Sequence, residues 1–286
     1  MDVIAVANGK GGVGKTAVSA NCAARWAAQG RRVLAVDLDP QGNLAVDLGV
    51  DEHDEGRMLL AAVTAGMPVV PQASVRTNLD LVTAGRSTDV LLAALGAMAQ
   101  QAPGQPLEVV RAALRQAGEG YDVVVIDTPP AGGLLADCAL ATADWLVIPT
   151  RADDRSLLGL QRVASRVAEI REQGYQVARL LAVVLFAMPT SGKALRSETR
   201  TSLEEALEGT GGRVCQAVIR SSDRAAVDQS RTGVVAGEYR AAAEALAVPW
   251  YQDREAPRFA AGAKGLAEDY VALAAELAGM VQGVRA

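Results

Sequence analysis

The sequence predicts an α/β protein with a doubly wound, mostly parallel β-sheet and helices on both faces. Short runs of Val, Ile, Leu and Ala recur along the 286 residues, with longer helix-like segments between them. Uninterrupted apolar runs are typical of strands buried on both faces, and their alternation with helices indicates repeated βαβ units. Half of the residues are hydrophobic but only 3% are aromatic, which suits helices packed on a parallel sheet.

The apolar runs and the segments between them place the elements in order. The predicted strands are Val3–Ala7, Arg32–Val36, Leu79–Val82, Val123–Ile126, Trp145–Ile148, Leu180–Phe186 and Val214–Ile219. Helices are predicted over Ala17–Gln29, Leu107–Ala117 and Leu157–Glu172, and Gly30 is a suitable residue to end the first. No repeat or domain linker is visible, so we expect residues 1–286 to form one domain, without an N-terminal helix-turn-helix domain.

The last predicted helix has an apolar face and an acidic face. Apolar side chains recur about once per turn, at Leu266, Tyr270, Leu273, Leu277 and Val281. The other face carries Glu268, Asp269 and Glu276, whereas a membrane-surface helix is usually rich in Lys and Arg. We therefore expect this helix to pack on the body of the protein rather than on a membrane. No apolar run reaches the roughly 18 to 20 residues of a membrane span and no signal peptide is visible, so we expect a cytoplasmic protein. The three scattered cysteines, Cys22, Cys138 and Cys215, are expected to be buried thiols rather than metal ligands.

Charge is distributed unevenly along the chain. The net charge of −5 argues against a generally basic nucleic-acid binder. Residues 1–150 hold 10 Lys/Arg against 16 Asp/Glu, but residues 151–264 hold 17 against 14. Most of the basic residues in this middle segment are arginines, which favour contacts with phosphate where they cluster in space.

A phosphate-binding loop is the clearest motif. The pattern Gly9-x4-Gly14-Lys15-Thr16 follows the first apolar strand and precedes a helix that starts at about Lys15. Backbone N–H groups of such a loop and the helix N-terminus bind phosphate oxygens, and glycines let the backbone approach closely. Lys15 can reach the β- and γ-phosphates, and the Thr16 hydroxyl can bind Mg²⁺.

Acidic residues follow two other buried strands. Asp127 ends the strand in "VVVIDTPP", and Asp37 and Asp39 end the strand in "VLAVDLDPQGN". Ligands of open α/β sheets bind outside the carboxyl ends of the strands. The sequence therefore predicts that phosphate, Mg²⁺ and carboxylate chemistry meet in one crevice.

At this point the chain resembles the ParA/MinD family of ATPases. "KGGVGKT" resembles the family's deviant Walker A motif, which has a second lysine, here Lys10. "DLDPQGN" resembles its switch I segment, "VVVIDTPP" its Walker B and switch II segments, and "ADWLVIPTRADDRSLLGLQRV" the strand and helix that follow in ParA-type partition proteins. The resemblance covers most of the chain and is strongest over residues 1–50 and 121–165.

The resemblance implies a role for each motif residue. Two copies of the chain sandwich two ATP molecules, and Lys10 acts on the partner's phosphates while Lys15 acts on its own. Asp39 positions the attacking water, Asp127 and Thr16 hold Mg²⁺, and Asp37 supports the metal's outer shell or the loop geometry. The residues implied to bind the nucleotide phosphates are Lys10, Gly11, Gly12, Val13, Gly14, Lys15, Thr16 and Ala17. Ala17 replaces the family's usual Thr or Ser, and Gly9 its usual glutamine.

The adenine and DNA contacts follow from a looser match around "VIRSSDRAAVDQSRTGVV". Met188, Pro189 and Arg220 are candidate adenine contacts in loops after two strands. Arg224 falls near a basic residue that some relatives use for DNA. The candidate DNA-binding residues are Arg196, Arg200, Arg220, Arg224, Arg231 and Arg258.

The implied function is a weak ATPase that dimerises on ATP, binds nucleoid DNA without sequence specificity and partitions a plasmid, chromosome region or other cargo. A ParB-like partner would stimulate its hydrolysis. The alternative is a MinD-like ATPase that acts on membrane or protein cargo. Three other classes fit less well. An Fe–S carrier would need cluster cysteines, and a tyrosine kinase would need a tyrosine-rich tail. A ligase of the dethiobiotin-synthetase type usually lacks the Lys10 signature.

Overall fold

A computed structural model describes residues 1–130, 132–152, 156–245 and 262–285. Of residues 156, 157, 223 and 285 it describes the backbone only. None of the helices in these ranges is long and apolar enough to cross a membrane.

One eight-stranded sheet forms the centre of the molecule, in the order β3-β4-β2-β5-β1-β6-β7-β8. The strands are β1 Asp2–Val6, β2 Val33–Asp37, β3 Gln72–Arg76, β4 Leu79–Val82, β5 Val123–Asp127, β6 Trp145–Thr150, β7 Arg179–Met188 and β8 Arg213–Arg220. All neighbouring strands pair in parallel except β3 and β4, which are antiparallel. The predicted doubly wound parallel sheet is confirmed.

Helices connect the strands and cover both faces. They are α1 Lys15–Ala28, α2 Asn43–Asp47, α3 Arg57–Ala65, α4 Arg86–Gln101, α5 Gln105–Ala117, α6 Leu134–Thr142, α7 Ser156–Glu172, α8 Lys193–Ala206, α9 Asp223–Thr232, α10 Ala236–Glu244 and α11 Ala263–Arg285. Two clusters of buried hydrophobic side chains, one for each face of the sheet, form the core. Strand β1 lies between β5 and β6, so the loop that follows β1 opens at the crevice where the strand order reverses.

Strand β3 is the strand that the sequence analysis missed. It pairs with β4 alone at the edge of the sheet, and Gln72, Ala73 and Ser74 are exposed. Ser74 also has a φ of 57°, which interrupts the extended conformation. An exposed edge strand needs no apolar run, so the signal that identified the other strands is missing here.

Helix α11 packs on the body, as predicted. Its five predicted apolar residues are all buried, and the Trp26 indole N–H donates to the Ala274 carbonyl oxygen at 2.9 Å. Two of its acidic residues face the sheet rather than solvent, which corrects the predicted acidic outer face. The Glu276 carboxylate accepts the backbone N–H groups of Gln216 (2.7 Å) and Ala217 (2.8 Å), so these carboxylate contacts cover part of the β8 edge.

Arg76 joins three distant parts of the chain on the side of β3 and β4. Its guanidinium donates to the carbonyl oxygens of Leu48 and Gly233, each at 2.9 Å, and to both carboxylate oxygens of Glu238. Beside it, Gly49 after α2 lies directly against Gly233 after α9. A Cβ atom on Gly233 would lie 2.1 Å from the Gly49 Cα atom. No side chain fits between these two backbones.

We expect Gly233→Ala to destabilise the fold by about 3 kcal/mol or more, because the clash adds to the cost of a φ of 63°. The midpoint of urea unfolding measures this effect. Gly237→Ala is the matched control, since a Cβ atom there meets no atom within 4 Å. Equal midpoints for the two variants would contradict the close approach of α2 and α9.

Candidate nucleotide-binding site

The loop between β1 and α1 requires glycine at its last position. Gly14 precedes α1 with a φ of 89°, and a Cβ atom there would lie 2.4 Å from the Phe186 ring. Gly12 also has a positive φ, of 69°. Gly11 and Gly12 are exposed, whereas Val13 is buried in support of the loop. The first turn of α1 carries no acidic residue of its own, so the backbone N–H groups there are suited to binding an anion.

Lys15 is buried within its own loop. It is 6% exposed, and its Nζ atom donates to the Lys10 carbonyl oxygen at 3.3 Å. Burial lowers the pKa of Lys15, and the nearby carboxylates of Asp127 and Asp39 oppose that shift. The predicted phosphate lysine thus lies between the loop and two of the predicted carboxylates.

Asp127 links the central sheet to the start of α1. Its carboxylate is fully buried and accepts the Thr16 hydroxyl at 2.7 Å and the Ser19 hydroxyl at 3.1 Å. Burial raises the pKa of Asp127 to about 7, against the opposing effects of Thr16, Lys15 and Ser19. The sequence analysis missed Ser19, although its position three residues after Thr16 places both hydroxyls on one helix face.

Asp37 organises the loop that follows β2. Its two carboxylate oxygens accept the backbone N–H groups of Asp39 (2.8 Å) and Leu44 (3.1 Å). Burial and the neighbouring Asp127 charge raise the pKa of Asp37 well above its usual range. Both oxygens are thus engaged by backbone, which favours the loop-organising role over direct metal binding.

Asp39 lies in the same loop and is 7% exposed. Its Oδ1 atom accepts the Gln41 backbone N–H at 3.0 Å, and its carbonyl oxygen accepts the Gly42 N–H at 2.9 Å. Asp39 is also near enough to Lys15 to affect that side chain's pKa. The structure therefore brings Asp39, Lys15 and Asp127 together, as the motif analysis predicted.

The donor set of this site suits Mg²⁺ that is shared with a phosphate. Within the described ranges, no group of three or more His, Cys, Asp or Glu side chains could hold a metal ion. Mg²⁺ usually binds one or two protein oxygens together with substrate phosphates and water. The adjacent Thr16 hydroxyl and Asp127 carboxylate are such oxygens, so the residues present fit this ion.

A cavity of about 150 Å³ next to Ala17 is the candidate position of the nucleobase. Arg220 lines it, together with Phe186, Ala187 and Ser222. Met188 is 1% exposed and packs in the core on the other face, so its side chain does not line this cavity. Pro189 follows Met188 and is not part of the lining. Side chains that the sequence analysis did not assign to the nucleotide site also line the cavity, namely Asn21, Asp47, Gln229 and Tyr270.

The predicted DNA-binding arginines fall into two groups. Arg200 donates to the Cys215 carbonyl oxygen at 2.7 Å, and Arg220 forms a bidentate ion pair with Asp269 at 2.7 and 2.9 Å. Arg196 is partly buried and lines a cavity with Arg220. Arg224 and Arg231 are exposed, and their spacing of seven residues places them on one face of α9. Arg258 lies outside the described residues. The predicted arginines therefore do not form a single exposed set.

The loop, its buried lysine and the acidic strand ends define a P-loop nucleotide-binding protein. Residues 1–180 match the AAA domain family AAA_31. The chain is 38% identical over 185 residues to the chromosome-partitioning ATPase Soj of Thermus thermophilus, covering 64% of this chain and 68% of that one. It is 36% identical over 173 residues to the sporulation initiation inhibitor protein Soj of Bacillus subtilis, covering 59% and 66%. The chain thus spans about two thirds of the length of these relatives.

The chain therefore belongs to this AAA domain family and is a homologue of the Soj and ParA chromosome-partitioning ATPases. Its fold is also that of apo McdA from Cyanothece, with a TM-score of 0.76 at 20% identity over 98% of this chain and 99% of that one. Another structure of McdA is a complex with ATP. The resemblance identified from the motifs is confirmed.

In the absence of nucleotide and Mg²⁺, Asp127→Asn should raise the free energy of unfolding by at least about 1 kcal/mol at pH 8. The increase should be much smaller at pH 4.5. The folded protein holds the pKa of Asp127 at about 7, above its ordinary value of 3.8, so ionisation opposes folding increasingly as the pH rises between these values. Urea unfolding at a series of pH values measures the difference.

Asp122→Asn is the control with the opposite sign. The backbone N–H and guanidinium of Arg32 hold the pKa of this half-exposed carboxyl below its usual range. That variant should gain no stability at pH 8. If the free energies of unfolding of Asp127→Asn and the wild type differed by the same amount from pH 4.5 to pH 8, the raised pKa of Asp127 would be contradicted.

Proposed function

We propose that this chain is a ParA-type ATPase that forms an ATP-sandwich homodimer, binds DNA without sequence specificity and partitions DNA or another large cargo. The observation that carries the proposal is the different placement of the two loop lysines. Lys15 is buried and held by its own loop, whereas Lys10 is partly exposed beside the exposed Gly11 and Gly12. Lys15 can serve only its own phosphate site, and Lys10 lies where a second copy could approach.

The residues of one copy then have separate roles. Backbone N–H groups of the loop and Lys15 bind the phosphates, and Thr16 and Asp127 hold the metal ion. Bound Mg²⁺ would offset negative charge at the transferring phosphoryl group. Asp39 orients the attacking water, and Lys10 of the opposite copy adds positive charge that stabilises the transition state, as an arginine finger does.

DNA binding is proposed for α9. Arg224 is 65% exposed and pairs with Asp228 at 2.9 Å, and Arg231 lies two turns further on. Pairing two copies would double this small basic surface and add phosphate contacts, which makes affinity for DNA depend on ATP and on salt. The similarity to chromosome-partitioning Soj supports this function and a ParB-like stimulating partner.

The lysine roles can be separated by substitution. Lys10→Ala should retain ATP binding but lose ATP-dependent dimerisation and hydrolysis, because it removes the proposed contact to the opposite nucleotide and keeps Lys15 and the loop glycines. Asp39→Ala should form an ATP dimer that hydrolyses ATP at least about 100-fold more slowly than the wild type. Sedimentation with ATP and Mg²⁺ and phosphate release measure these effects, with Lys264→Ala, an exposed lysine on α11, as control. Normal hydrolysis by Lys10→Ala would exclude the trans-lysine mechanism.

DNA binding should be tested with the Asp39→Ala protein, by mobility shift across a salt series with ATP–Mg²⁺ and with ADP. We expect ATP-dependent, sequence-independent binding, and Arg224→Glu should weaken it and reduce the salt slope by about 1 per lost phosphate contact. Arg32→Glu is a closely matched control, since Arg32 is 63% exposed and also pairs with an aspartate. An ATP dimer without DNA affinity would instead favour a MinD-like ATPase acting on membrane or protein cargo.

A further inference from the structure

Asn8 occupies the junction between the phosphate loop, strand β6 and helix α7. Its side chain is 3% exposed. The Nδ2 atom donates to the Pro149 carbonyl oxygen at 2.7 Å, and Oδ1 accepts the Lys10 backbone N–H at 2.9 Å. One side chain thus ties the backbone of Lys10 to the carboxyl end of β6.

Helix α7 packs directly on this junction. A Cβ atom on Gly159 would lie 2.7 Å from Asn8 Oδ1, the atom that holds Lys10. One turn later, the Arg162 Cβ atom lies 3.4 Å from the Cβ position of Gly9. Gly159 lies within a helix, where any residue could adopt its backbone conformation. The close approach of Asn8 therefore accounts for the glycine at this position.

On the same face of α7, two turns after Gly159, Arg166 ties this helix to α6, which follows the strand that ends at Asp127. The Arg166 guanidinium donates to both carboxylate oxygens of Asp137 on α6, and Asp137 is 2% exposed. Helix α7 therefore contacts the loop after β1 through Gly159 and Arg162, and the helix that follows Asp127 through Arg166. A displacement of α7 toward the sheet would push on Asn8 and so on the Lys10 backbone.

We propose that Asn8 is the positioning residue for Lys10 and that α7 controls this position through the contact between Gly159 and Asn8. The inference rests on the proposed trans role of Lys10. A partner that binds α7 could then alter hydrolysis without touching the nucleotide, because the hold on Lys10 lies between α7 and the loop. Displacement of a reacting group by about 1 Å is enough to cost about 100-fold in rate.

Two substitutions on different elements test the contact. Asn8→Ala removes the acceptor for the Lys10 N–H, and Gly159→Ala displaces the same acceptor while leaving Asn8 in place. The Gly159 change does not weaken the helix, since alanine favours a helix more than glycine does. Gly237→Ala is the matched control, because it adds the same methyl group to a helix in open space.

The first readout is the hydrogen exchange of the Lys10 backbone amide in the nucleotide-free monomer, followed by NMR. Loss of one hydrogen bond should speed this exchange by about five- to tenfold in both variants and not in the control. The second readout is ATP affinity, ATP-dependent dimerisation and hydrolysis. ATP affinity should change by less than about threefold, since the loop glycines and Lys15 are kept and only the long contact of Lys15 to the Lys10 carbonyl oxygen (3.3 Å) is altered, whereas hydrolysis should fall by about 100-fold.

The double variant is the decisive case. Because both changes act on one contact, Asn8→Ala with Gly159→Ala should be no slower than the slower single variant, whereas independent effects would multiply. Unchanged Lys10 exchange in Gly159→Ala would overturn the link to α7. Faster exchange with normal dimerisation and hydrolysis would overturn the positioning role. A wild-type protein that does not dimerise on ATP would refute the proposed function, and the exchange measurement would then decide alone whether Asn8 holds Lys10.

Discussion

The buried carboxylate of Asp127 is the interaction on which the site depends. It ends a central strand and accepts two hydroxyls from the first turns of α1, so it sets the distance between the sheet and the phosphate loop. Burial of the Asp127 carboxylate is costly, and the two hydroxyls and the Lys15 charge offset only part of that cost. A metal ion bound at Asp127 would remove the remaining penalty, so the same feature that strains the nucleotide-free fold favours loading of the site.

The loop after β2 connects Asp127 to the helices on the other side of the site. The charge of Asp127 contributes to the raised pKa of Asp37. The two hydrogen bonds of Asp37 hold the backbone of Asp39 and the start of α2. Helix α2 ends against Gly233, the residue that terminates α9, and Arg76 binds the carbonyl oxygens on both sides of that contact. Packed contacts thus join the proposed water-positioning residue to the helix that carries Arg224 and Arg231. A change of the loop on nucleotide binding has a direct structural connection to the proposed DNA surface.

The strands and the phosphate loop could be predicted because each carries its signal within a few consecutive residues. Apolar runs identified seven strands, and the glycines and lysines of the loop are specific at fixed spacing. Strand β3 could not be found in this way because an exposed edge strand has no apolar run. Arg76 and Glu276 were also beyond prediction, since their partners lie 157 and 60 residues away in the chain. Ser19 was the exception, since helical spacing alone could have placed it beside Thr16.

The balance of charge in the site supports the proposed need for a second copy. Two carboxyl groups, Asp39 and Asp127, lie near the buried Lys15, and a bound triphosphate would add further negative charge. At the short distances within a buried site this repulsion is weakly screened. On the proposed mechanism, further positive charge comes from a divalent cation and from Lys10 of a second copy. Lys10 is partly exposed in the loop, whereas Lys15 is buried beside the carboxylates of its own site. On the proposed mechanism, one copy binds the nucleotide and the second copy stabilises the charge that develops during phosphoryl transfer.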